Sequence, residues 1–402
     1  MQMSYDLPFW VGIGIIVLKG GAIMALQIPK PKLYPDVAIN QHLIPQCYMR
    51  EWCYNGRDSV WIYDKTSLFN AEYPEHSNWT ITSKKTNKIN ARKHYHDTKA
   101  GCFYMPEEAL TELFGFLLAY SVSFNGISLD TVEKMNEQYS NFPRWEIRSA
   151  DGSEIEQTDL QKIEKYLESS RYTYIETQWS RKYENTWRQD ITLLENKVRA
   201  LKASSGNGPS RAPNITEGDL KKVLEYVVIY DWRSPNGNWV LSEALNTLGN
   251  IVPEVWNLPI PPQSSSSQLH TEDKTFGDQL RHELLLKYFD DFLRNDSGPI
   301  RDHIDLTTKT LTVCFCLTDS AHPFITSDKP AYRYMRPDGL QEYILIARPT
   351  FLIRLGRGNK SEFMVHKLSH DEVNAYNRAT AKQGNLLILP SAKYPISSLL
   401  TP

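Results

Sequence analysis

The side chains in this sequence able to move protons or hold an anion are an imidazole, several carboxylates and an arginine, each beside a predicted element end. His42 lies in Asn40-Gln-His-Leu-Ile-Pro-Gln46, just before a predicted helical turn. An imidazole there can serve as general base, general acid or metal ligand at neutral pH, or simply donate to a backbone carbonyl. Asp64 closes Ser59-Val-Trp-Ile-Tyr-Asp64, which alternates as a strand; it can orient His42, bind a cation, or cap the following turn. Glu176 and Glu184 fall on a predicted helix, where their spacing leaves them about 80° apart around the axis. Two carboxylates on one broad face can hold Mg²⁺ or divide acid and base roles. They can also form a solvated face paired with Arg181 or Arg188.

Arg233 ends an apolar helical run, Val223 to Trp232. It suits the helix dipole there, and in a pocket its planar fork would clamp a phosphate or carboxylate. Phe324-Ile-Thr-Ser-Asp-Lys-Pro330 leaves a buried apolar stretch, so Asp328 and Ser327 stand at a strand exit where catalytic and substrate-binding groups often sit. An Asx-type turn before Pro330 accounts for the same residues without chemistry. Ser327 lacks a Gly-x-Ser-x-Gly elbow, which disfavours a serine hydrolase of that kind. His94-x-His96-Asp97 offers metal-ligand types, yet alternation on a strand makes two imidazoles neighbours by geometry alone. Gly356-Arg-Gly358 is too short for a dinucleotide fingerprint, and neither a Walker motif nor His-Glu-x-x-His occurs.

The elements that must position these groups follow from periodicity. Pro45 to Trp52 suits one or two helical turns, and Trp79 to Thr82 with Lys88 to Tyr95 extends the strand at Ser59 into a small antiparallel sheet. Helices are expected from Pro106 to Ala119, Asp159 to Glu168, Tyr174 to Asp190, Ile191 to Ala203, Leu220 to Trp232 and Phe276 to Leu293. Strand-like runs then dominate: Leu311 to Leu317, Tyr343 to Ala347, Phe351 to Leu355 and Asn385 to Leu389, with a helix from His370 to Ala381. The class predicted is α+β: a small N-terminal antiparallel sheet, a helical middle and a β-rich C-terminal part. Flexible breaks are expected at 204–213 and at the Pro- and Ser-rich stretch 259–267.

With 45 Lys and Arg against 47 Asp and Glu, the net charge of -2 supplies no global field for nucleic acid or anionic lipid. The five cysteines, Cys47, Cys53, Cys102, Cys314 and Cys316, lack a paired zinc spacing and are expected reduced; the last two, on one strand face, act as small hydrophobes. Phe9 to Leu26 is nearly long enough to span a bilayer, but Lys19 interrupts it, Gly20 and Gly21 weaken it, and no basic leader precedes it. Lys19-Gly-Gly-Ala-Ile-Met24 is also what a ribosome-binding sequence before a start codon encodes when read in frame. Two expectations stand: residues 1–23 are upstream DNA, or they are a membrane anchor on an otherwise cytoplasmic protein.

Four blocks carry a family resemblance: Asn40 to Trp52 with Val60-Trp-Ile-Tyr-Asp-Lys65; Ile175-Glu176 with Glu184-Asn185; Val223 to Arg233 with Ser234-Pro235; and Phe324 to Pro330. In order and content they resemble the family called domain of unknown function 4238, with Lys329 where its pattern has Asn. The resemblance nominates positions and implies no activity. It places one main domain at 40–390, a helical insertion at about 102–171, an N-terminal segment at 1–39 and a tail at 391–402. The functional expectation is a hydrolase or nuclease-like enzyme acting on a phosphate-bearing substrate, a small molecule or nucleic acid, with a divalent cation such as Mg²⁺ as the candidate cofactor. The alternative is a non-catalytic interaction module whose polar residues form a structural network. An enzyme needs His42, Glu176 and Asp328 to meet around an open cavity with Arg233 on its wall, whereas a structural network is closed and fully paired.

Overall fold

The computed structural model describes residues 28–29, 39–54, 56–65, 80–204, 210–212, 215–234, 239–260, 273–336, 338–356 and 363–400. The expectations for residues 1–23 and for most of the stretches 204–213 and 259–267 therefore lie outside the described residues. The architecture is α+β, with a small antiparallel sheet near the N-terminus, helices in the middle and a strand-rich C-terminal part. No described helix is long and apolar enough to cross a membrane.

The small sheet draws on both ends of the chain. Its spatial order is Thr326–Ser327, Leu386–Leu389, Ser59–Asp64, Thr82–Lys85, every pairing antiparallel. Leu386–Leu389 is buried at all four positions, so it needs partners on both edges and cover on both faces, and it inserts between the other strands. The stretch expected to complete this sheet does something else: Ala91–Lys93 leaves it and pairs with Asn40–His42, placing His42 opposite Ala91. A second sheet of six strands runs Ala331–Met335, Gln341–Arg348, Phe351–Gly356, Thr312–Leu317, Met364–Lys367, Ser210–Arg211. Its one parallel pairing, Met364–Lys367 beside Thr312–Leu317, is separated by crossover chain. Within it Cys314 and Cys316 share a face with sulfurs 3.8 Å apart, and all five cysteines are free. The expected helical stretch 102–171 also contains a three-stranded sheet, Ile127–Ser128, Ser121–Phe124, Glu146–Arg148.

The two helices expected at 174–203 are one rod. It runs Tyr174–Trp179, passes through a single π-helical turn at Ser180–Glu184, and continues as Asn185–Ser204. Trp179 and Trp187 are wholly buried on its inner side, where Trp187 meets Tyr48, Tyr226 and Tyr230. Helix Glu217–Arg233 starts at a capping box on Thr216, in which the Thr216 hydroxyl accepts from the Asp219 amide and the Asp219 carboxylate accepts from the Thr216 amide. This cap fixes where the helix begins, and so where Arg233 lies at its far end.

The Phe324 to Pro330 block is held by local and long-range bonds. Thr326 Oγ1 lies 2.5 Å from the Tyr48 hydroxyl, the Ile325 amide donates to Asn377, and Asp328 Oδ1 accepts from the Asn385 amide at 2.9 Å. Gly384 presses against this turn. A Cβ there would be driven into Ser327 Cβ and would lie 2.5 Å from its Oγ and 2.9 Å from Asp328 Oδ1. Gly384→Ala should therefore lower stability by about 1–3 kcal/mol through overpacking, read as a shifted urea midpoint with an unchanged slope; an unshifted midpoint would mean that the turn yields without cost.

Candidate functional site

A cleft of about 660 Å³ opens between the N-terminal strand-and-turn unit and the long rod. His42 and Gln46 form one wall, and Glu176, Ser180, Glu184 and Arg188 the other. The π turn explains why one rod presents both glutamates. A single π turn adds one residue to the helical path, so eight steps act as roughly seven α-helical ones and the two carboxylates come within about 20° of each other. The 80° separation expected of a regular helix is thus largely removed.

His42 is 8% exposed, with Gln46 Nε2 at 3.4 and 3.3 Å from its two ring nitrogens, an approach that packs the ring without selecting a tautomer. Burial pulls its pKa down, the charges of Glu184 and Glu176 and a backbone hydrogen bond at Asn87 pull it up, and the net direction is down. The imidazole is neutral at pH 7 and able to accept a proton. Glu176 is tied through Oε2 to Nδ1 of His96 at 2.7 Å. Burial raises its carboxyl, but the hydrogen bond from His96 together with the positive field of Arg233 outweighs it, and Glu176 stays ionised. His96 itself is wholly buried and held neutral by desolvation, its Nε2 without a hydrogen-bond partner among the described residues.

Arg233 stands behind the wall, not on it. Its guanidinium is almost fully buried, donates from Nη1 to Glu184 Oε1 at 2.8 Å and from Nη2 to the His42 carbonyl at 2.9 Å, and lies over the Trp179 ring. It thereby joins the strand of His42 to the rod of Glu184. The expected pairing of the glutamates with Arg181 or Arg188 does not occur. Both arginines are exposed at the cleft, and neither has a hydrogen-bonding or ion-pair partner for its side chain among the described residues. Cys47 also reaches the cleft, but burial pushes its thiol up to about 12, which excludes a thiolate nucleophile at neutral pH.

Besides Arg233, three of the nominated residues do not line this cleft. Asp64 pairs with Leu386 in the small sheet, while Ser327 and Asp328 turn at the end of Thr326–Ser327. Burial raises the Asp328 carboxyl against the opposing amides of Asn385 and Leu386, and the nearby Lys65 ammonium donates to the Ala381 carbonyl. The expected meeting of Asp328 with His42 and Glu176 is therefore absent from the cleft. The sequence reading also missed His96 as the partner of Glu176. Its strand-like surroundings hid that role, because Asp97 is held instead by Gln41 at 2.6 Å and His94 at 2.7 Å.

Fold and site together define an α+β protein with a polar cleft of an imidazole, two glutamates and exposed arginines. The chain belongs to the family described as protein of unknown function (DUF4238), whose profile matches residues 40–393. No curated protein and no solved structure matches it.

Proposed function

We propose that the protein is a hydrolase of phosphate esters, of phosphatase or nuclease type, working in the cleft between His42 and the long rod. One observation carries this reading: a neutral, buried imidazole and two glutamates of the facing rod share a cleft whose rim holds two arginines with no side-chain partner among the described residues. Arg181 and Arg188 supply the positive charge that a phosphate group needs, taking the role first expected of Arg233. His42 accepts a proton from the attacking water as the water oxygen bonds to phosphorus and the ester P–O bond breaks, the departing alkoxide taking its proton from solvent. Glu176 and Glu184 each keep an oxygen not engaged by His96 or Arg233, and those oxygens suit a hard cation such as Mg²⁺, which would neutralise phosphate charge.

A second reading, the non-catalytic interaction module, draws on the local bonding of Ser327 and Asp328 and the strand pairing of Asp64, which we assign to holding the small sheet together. The two readings separate in one experiment. The purified full chain should release product from a panel of phosphomonoesters, phosphodiesters and single-stranded oligonucleotides with added Mg²⁺ or Mn²⁺, and Glu176→Gln should abolish the signal. Turnover absent across the panel in the parent would favour the interaction module, and turnover unchanged in Glu176→Gln would place the activity outside this cleft.

A further inference from the structure

The loop after strand Thr312–Leu317 and the start of helix His370–Gln383 bring three ligand-type side chains together, away from the cleft of His42. Asp319 Oδ1 accepts from the amides of Ala321 and His322 at 3.1 and 2.9 Å and lies 3.1 Å from Nδ1 of His322. The Thr318 hydroxyl donates to the His322 carbonyl at 2.8 Å, so both ends of this loop are fixed. His370 is fixed independently, as the first residue of a helix whose capping box joins Ser369 and Glu372. The His322 and His370 rings are stacked face to face. One nitrogen from each ring and a carboxylate oxygen of Asp319 fall within 4.8 Å of one another.

We propose that Asp319, His322 and His370 form a binding site for a transition-metal dication of the Zn²⁺ class, which clips the 318–323 loop to the helix. Two imidazoles and one carboxylate suit Zn²⁺, Co²⁺ or Ni²⁺, whereas Mg²⁺ and Ca²⁺ require a shell of oxygens. A Zn–N distance of roughly 2.0–2.1 Å asks only that the three side chains close by torsion, and Asp319 and His322 are exposed enough to do so. A helix N-terminus repels a cation, but Asp319 together with Asp371 and Glu372 in the first turn offsets that field.

The test uses the full chain, stripped of metal, titrated with Zn²⁺ by calorimetry and followed by thermal melting. The parent should bind one equivalent that both His322→Ala and His370→Ala lose, and its Tm should rise by a few degrees at zinc about a hundredfold above Kd; the variants should not gain this rise. Both substitutions are at the surface, and matching circular dichroism confirms their folds. Zinc bound equally by parent and variants, loss in only one variant, or no binding to the parent would each overturn the site.

Discussion

Replacing His42 by Gln should lower the proposed phosphoester hydrolysis about 10²–10⁴-fold, the contribution typical of a positioned general base, while leaving the melting temperature close to that of the parent. The glutamine amide keeps a polar group in the same pocket, so the loss reports on proton transfer and not on folding. The pH profile gives an independent readout. Burial lowers the His42 pKa more than Glu184 and Glu176 restore it, so the basic form persists below the ordinary imidazole value of 6.5. Activity should climb with pH through a midpoint below 6.5 and be flat by pH 7, and the Gln variant should lose that acid limb. An acid limb that survives in the Gln variant would assign the base to another group.

Arg233→Met should cost about 3–5 kcal/mol, because it removes one member of a buried pair and strands the other. Its guanidinium is 1% exposed and Glu184 21%, so the glutamate retains some solvent and the value should fall toward the lower end. The same change releases the His42 carbonyl and the contact over Trp179. Glu184→Gln placed on top should recover part of the loss, since no ionised carboxylate is then left facing an apolar side chain. Equilibrium urea unfolding of the four proteins measures the coupling. Strict additivity would show that Arg233 and Glu184 act separately.

The resemblance blocks led to His42, Glu176, Glu184 and Arg233, and periodicity led to the helical stretches that make up the rod, though not to their continuity, and to the capped helix and most C-terminal strands. These are local signals: a cap such as Thr216 with Asp219, or a run such as Leu386–Leu389, is written within a few residues. What escaped was set at long range or by irregular geometry. The π turn at Ser180–Glu184 has no side-chain pattern of its own, yet it decides that two glutamates share a cleft. His96 and Glu176 are 80 residues apart, and nothing in either neighbourhood announces the other. Asp328 misled for the opposite reason: a strand-end acid beside Pro330 fits a site and a turn equally well, and only the approach of Gly384 and the Asn385 amide distinguishes them.

The small sheet has a consequence for how the protein is made. Ser59–Asp64 is hydrogen-bonded to Leu386–Leu389, and Lys65 reaches the Ala381 carbonyl 316 residues further along. At roughly 5–20 residues per second, a ribosome needs tens of seconds to deliver that partner. Through this interval the apolar edge of Ser59–Asp64 is a template for other nascent chains. Completion of the sheet must wait for Leu386–Leu389, so a chain cut short before Leu386 keeps an open strand edge and becomes a substrate for holdase chaperones or aggregation, however well its helical middle has folded.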